Sequence, residues 1–104
     1  MNWASAEASN PSRIWTNLFM EISTHQRFDK HYKKLPETVK EKAKAKEKIF
    51  RRFPFDPSLR THKLHGKDRG AWAFWIDFHY RIKFMFVTEN AALFLDIGLH
   101  DIYE

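Results

Sequence analysis

A chain of 104 residues with 43% hydrophobic content, ten Phe and four Trp has room for one core and none for a second, since a domain this size buries roughly 65% of the surface its unfolded chain would expose. The absence of cysteine excludes disulfides and thiolate metal centres and fits a reducing, cytoplasmic setting. No apolar run approaches the roughly 18 residues of a membrane helix, the start MNWASAEASNPSR lacks the pattern of a secretion signal, and a net charge of +5 points toward polyanionic partners.

In chain order, NPSRIWTNLF (residues 10–19) carries Asn at a cap position, Pro next, and apolar residues at helical spacing, which predicts a short helix. Met20 opens MEISTHQRF, a natural strand beginning, so residues 1–19 read as an extension on a domain covering residues 20–104. The stretch from Pro36 to about Arg52 predicts a helix, with Pro in the first turn, Glu37 at the positive end of the dipole, Arg51 and Arg52 at the negative end, and Pro54 stopping it. Val39, Ala43, Ile49 and Phe50 form a thin apolar stripe, while Lys40, Lys44 and Lys48, four apart, form a ridge on one side. Residues 30–52 hold ten Lys and Arg against three Glu, a net +7 that concentrates the positive charge in one block.

FPFDPS (53–58) is an extended, turn-rich link. From Gly70 the period becomes two. Trp72, Phe74 and Ile76, then Tyr80, Ile82, Phe84 and Phe86, then Leu93, Leu95 and Ile97 predict three strands joined by hairpins at Asp77–His79 and Thr88–Asn90. The architecture is α+β, with helices on one face of a curved sheet and the other face open. Arg81 and Lys83 alternate with the aromatics of their strand, so the core takes the aromatics and leaves these cations facing a groove. Trp72 and Trp75 fall on opposite faces of one strand, and the one outside the core is placed to stack a base or receive a partner's side chain.

FDKHYKKLP (28–36), PFDPSLRTHKLHGK (54–67), GAWAFWIDFHYRIKF (70–84) and IGLHDIY (97–103) together resemble the RelE/ParE superfamily of toxins from bacterial toxin–antitoxin modules, in particular its histidine-bearing ribonuclease branch. The resemblance runs from about Met20 to the end of the chain, with its segments in the family's order. It implies two N-terminal helices packed on a curved, mainly antiparallel four-stranded sheet. It also implies metal-independent cleavage of messenger RNA, on the ribosome, by attack of a ribose 2'-hydroxyl on the adjacent phosphate, a reaction that needs a base, an acid and cationic stabilisation of the phosphorane.

Carried over position by position, the resemblance implies catalytic roles for His62, Arg81 and His100, with His79 as a further proton-transfer candidate. The plainer alternatives are a surface or capping group at His62, an ion pair of Arg81 with Asp77 or Asp96, a tail histidine at His100 and a turn polar at His79. His62 and His65, three apart, fall on opposite sides of an extended segment and do not act as a pair; His65 is RNA-contacting or, more simply, neutral. A two-histidine metal clamp would want a helix or a third ligand, so no metal or other cofactor is expected. Lys40, Lys44, Lys48, Arg51, Arg52, Lys63 and Lys67 are candidate RNA-backbone contacts, and Tyr103 is a candidate to stack on a base or orient the phosphate, with C-terminal packing as the alternative.

The implied partners are a cognate antitoxin, messenger RNA and ribosomal RNA, with no membrane. The rivals are the gyrase-poisoning branch of the superfamily, which lacks the two catalytic histidines, and a nonenzymatic RNA-binding or antitoxin-binding module.

Overall fold

The computed structural model of the chain describes residues 19–101. The helix expected at residues 10–19, the extension of which it is part, and Tyr103 therefore lie essentially outside the described residues. Strand β1 (Glu21–Thr24) begins where Met20 announced it, with Ile22 buried between exposed neighbours.

Helix α1 (Gln26–Lys33), one of the two helices the resemblance implies though not marked by the residue pattern, follows at once, so that the helices come after a strand rather than at the N-terminal end of the fold. Its first turn is held from both sides: His25 Nδ1 accepts the backbone N–H of Arg27 at 3.0 Å, and Thr24 Oγ1 donates to the Asp29 carboxylate at 2.8 Å. Phe28 is its buried residue, 5.5 Å from the ring of Phe94. One inward residue in eight is too sparse a stripe to read as a period.

Helix α2 (Glu37–Arg52) starts one residue after the expected first-turn Pro36, which occupies the cap position instead. Its buried face is Val39, Ala43, Glu47 and Phe50. Glu47 is the departure from the predicted stripe: it is 1% exposed. Arg51, one turn on, donates to its carboxylate from Nε at 2.7 Å and to the Met20 carbonyl at 3.2 Å. A carboxylate so deep survives only with such a partner.

The sheet has five strands, not four, in the order β1-β5-β4-β3-β2. They are β1, β2 (His62–Lys63), β3 (Trp72–Trp75), β4 (Tyr80–Thr88) and β5 (Ala91–Leu99). The extra strand is β2. His62 thus lies within a two-residue edge strand, and two residues offer no alternation to read. All neighbours are antiparallel except β1, which runs parallel to β5 with Ile22 opposite Ala92.

Phe50 of α2 stacks on Phe74 at 4.8 Å and meets Phe84 at 4.8 Å and Phe94 at 5.6 Å. Each such ring, taken from water, contributes about 1.5–3 kcal/mol. This places both helices on one face of the sheet. The opposite face buries a small apolar group of Leu64, Ala71, Ala73 and Leu95. The chain enters it through a turn bracketed by Gly66 and Gly70, whose φ values of 70° and 95° suit glycine. Among the described residues no helix is long and apolar enough to cross a membrane.

Candidate functional site

Cross-strand partners share a face of a sheet, so the register assigns the residues of the face away from α1 and α2. His62 pairs with Ala73, and Ala73 with Lys83; two residues along, Trp75 pairs with Arg81, and Arg81 with Gly98. His62, Trp75, Arg81 and Lys83 therefore stand on the same side. His62 and Arg81 are two strands and two residues apart, about 12 Å between Cα atoms on ordinary sheet spacings, the scale of one nucleotide between two side chains. His100 is exposed and follows β5 by one residue, two beyond Gly98. It lies three strands from His62, with Arg81 between them.

Arg81 does not face an open groove as expected. It is 6% exposed, and its guanidinium carbon lies 3.9 Å from the centre of the Trp75 ring. Nη1 donates to the backbone carbonyls of Asp77, Phe78 and Tyr80 at 2.8, 2.9 and 3.2 Å, and Nε is buried without an acceptor. The side chain clamps the β3–β4 hairpin.

Neither carboxylate considered as its partner pairs with it. The Asp77 carboxylate accepts the N–H groups of His79 and Tyr80, each at 2.8 Å, and Lys42 at 3.3 Å. Burial pushes the Asp77 carboxyl up, but those N–H groups and Lys42 outweigh it and hold the group below its ordinary value. Asp96 instead meets His31 Nδ1 at 2.6 Å. Lys83 is likewise engaged, with Asp68 at 3.2 Å. The pair edges a 220 Å³ pocket that Lys67, Met85 and Leu95 help to line.

The accessible cation beside His62 is one the sequence reading passed over. Arg60 is exposed and left-handed, with φ 51°, and its guanidinium carbon lies 4.5 Å from the Trp75 ring centre. Two guanidiniums on one indole are at most about 8 Å apart, a repulsion of about 2 kcal/mol at an effective dielectric of 20. Among the described residues no carboxylate lies within 4.0 Å of either. The Arg60 carbonyl is 2.8 Å from His62 Nδ1. A carbonyl only accepts, so Nδ1 carries the hydrogen and the neutral ring has its lone pair on Nε2. Trp75 at an outward position was the available signal; that Arg60 would share it depends on the turn before β2.

The remaining candidates are dispersed. Lys40, Lys44 and Lys48 lie on α2, across the sheet from Arg81, and Lys40 Nζ is 5.6 Å from the Tyr32 ring. Arg51 is committed to Glu47, and Arg52 lies 5.3 Å from the Phe19 ring. Lys63 points to the helix side, 5.8 Å from the Trp72 ring. His65 is exposed at the start of the Gly66–Asp68 turn, and His79 is exposed with its ring 5.3 Å from Phe78. Among the described residues no three His, Asp or Glu side chains gather as a metal site would require.

No protein-family model matches this sequence, nor does any curated protein. Solved structures do. A YoeB/ParE toxin from Agrobacterium tumefaciens superposes with a TM-score of 0.66 at 16% identity, covering 78% of this chain and 99% of that one. The E. coli DinJ–YafQ toxin–antitoxin complex gives 0.66 at 17% identity, covering 82% of this chain and 98% of that one. The archaeal RelE–RelB complex from Pyrococcus horikoshii gives 0.64 at 14% identity, with 82% and 98% covered. A strand, two helices and a mostly antiparallel sheet, matched over nearly the whole length of these toxins, give this chain the RelE/ParE toxin fold.

Proposed function

We propose that this chain is the toxin of a toxin–antitoxin pair and a metal-independent endoribonuclease that cuts messenger RNA, on the ribosome, in the cytoplasm. The observation that carries the reading is the placement of His62, with its tautomer set, on the same face as Arg81 and Trp75, away from α1 and α2, in a fold shared with the YafQ and RelE toxins.

In the proposed reaction a 2'-hydroxyl loses its proton as its oxygen attacks the adjacent phosphorus, and the 5'-oxygen takes a proton as its bond to phosphorus breaks. His62 and His100 divide these two transfers, with the order unassigned and His79 as an auxiliary. Arg81 adds positive charge beneath the phosphorane. Lys67 lies beside this face, next to the Lys83–Asp68 pair, while Lys63 on the helix side, the α2 lysines and Arg52 serve ribosomal RNA further out. Arg51, bonded to Glu47, supports α2 rather than RNA.

Two of the matched toxins were solved with antitoxins, which supports a cognate antitoxin for this chain as well. Inducing the wild type, His62→Ala and His100→Ala in bacteria and mapping messenger RNA 5' ends tests the reading. Codon-phased cuts that both substitutions abolish are expected. Arrested growth with intact message and damaged DNA would point to gyrase instead, and no effect at all to a binding module.

A further inference from the structure

We propose that Arg60 is the side chain that binds the RNA phosphate next to His62, with Trp75 as the platform that presents it. The inference deepens the ribonuclease reading and rests on it. Arg60 is exposed, whereas Arg81 is 6% exposed with one nitrogen committed to three hairpin carbonyls. Arg81 cannot turn toward a ligand without opening the turn it closes.

Arg60 can do so, because among the described residues its side chain rests on the face of the Trp75 ring, at 4.5 Å, and is held by no hydrogen bond or ion pair. A guanidinium resting on an indole keeps its in-plane N–H groups available, and their fork matches two phosphate oxygens. Among the described residues the two arginines share one indole with no carboxylate beside them, and the Arg81 Nε hydrogen is buried without an acceptor, so this part of the cluster is short of an anion. The backbone of Arg60 adds a link to the chemistry. Its left-handed conformation, uncommon for a residue with a side chain, turns its carbonyl onto His62 Nδ1 while its guanidinium lies over Trp75. One residue thereby fixes the histidine's tautomer through its carbonyl and offers the phosphate a cation through its side chain.

The test is fluorescence anisotropy of a labelled RNA hexanucleotide, made uncleavable by 2'-deoxy substitution, titrated with the full chain at several salt concentrations. Arg60→Gln should weaken binding by about tenfold and lower the slope of log K against log salt by about 0.7, the share of one phosphate contact to a single strand. Arg60→Lys should keep the slope yet still bind more weakly, because the ammonium loses the fork and the stack. It also carries the test should Arg60→Gln fail to fold. Affinity and slope unchanged in both variants, or no binding by the wild type, would overturn the proposal. Parallel cleavage assays on programmed ribosomes keep the two ideas apart: a wild type that cuts message while Arg60→Gln binds normally sinks Arg60 alone, and Arg60-dependent binding without any cutting sinks the nuclease alone.

Discussion

Replacing Arg81 by alanine tests whether this residue is first of all a clamp. The substitution removes one charged donor from three carbonyls, two of them at 2.8 and 2.9 Å. Counting those two at about 1.5–3 kcal/mol each and the desolvated contact with Trp75 at about 2 kcal/mol gives a gross loss of about 5–8 kcal/mol. Against it stand the relief of about 2 kcal/mol of repulsion from Arg60 and the recovered hydration of a buried cation, worth several kcal/mol. The net loss should come to about 3 kcal/mol. In a domain of this size that lowers Tm by roughly 12 °C or more and the urea midpoint by about 2 M for an m-value near 1.5 kcal/mol/M. Urea melts followed by far-ultraviolet circular dichroism would measure it, with amide exchange locating the damage at Asp77–Tyr80. A loss under about 1 kcal/mol with hairpin exchange unchanged would refute the clamp and return Arg81 to the role of a free phosphate ligand.

Arg51→Ala removes a charged donor from the buried Glu47 carboxylate and should cost about 1.5–3 kcal/mol in the same melts, most of it recovered by pairing the change with Glu47→Met. The Asp77 carboxyl is held below its usual range in the folded chain, so its stabilisation is complete above a pH of about 4 and disappears as the pH falls through the lower folded value. Asp77→Asn should therefore flatten the acid limb of stability against pH, and an unchanged limb would show that the hairpin does not depend on this charge. His62→Gln should lower cleavage by about 10²–10⁴-fold while leaving the affinity for uncleavable RNA unchanged.

How far the sequence discloses this molecule depends on how many residues share each regularity. The long strands β4 and β5 and the long helix α2 were readable because their periods repeat. Helix α1 escaped because it buries Phe28 alone, and β2 because it is two residues long. The opposite orientations of Trp72 and Trp75 followed from alternation: Trp72 packs on Phe55 and Phe86, and Trp75 meets Arg60 and Arg81 on the other side. Alternation tells which face a residue takes but not what it meets there. The expectation of two solvated cations at Arg81 and Lys83 failed for that reason, since their engagement by hairpin carbonyls and by Asp68 is set by residues one to fifteen positions away.

The same distinction bears on the site. In β5 the ladder with β4 shifts register between Lys83 and Phe84, and Asp96 reaches His31 on α1 while Leu95 joins the apolar group on the far face. Every residue beyond the shift, including Gly98 opposite Arg81, owes its place to it, because a slip of one residue reverses the face of all that follows. His100 lies two positions past Gly98 and inherits that setting, whereas His62 is placed independently by its pairing with Ala73. A one-residue deletion within Leu95–Ile97 should therefore abolish the contribution of His100 while leaving the Arg60 carbonyl bond to His62 and RNA binding in place. The experiment would be the deletion alone and combined with His100→Ala, compared by cleavage rate and by hexanucleotide affinity in chains shown to be folded. If the combined variant cleaves more slowly than the deletion alone, His100 still acts from the shifted register, and the dependence of its position on the bulge is refuted.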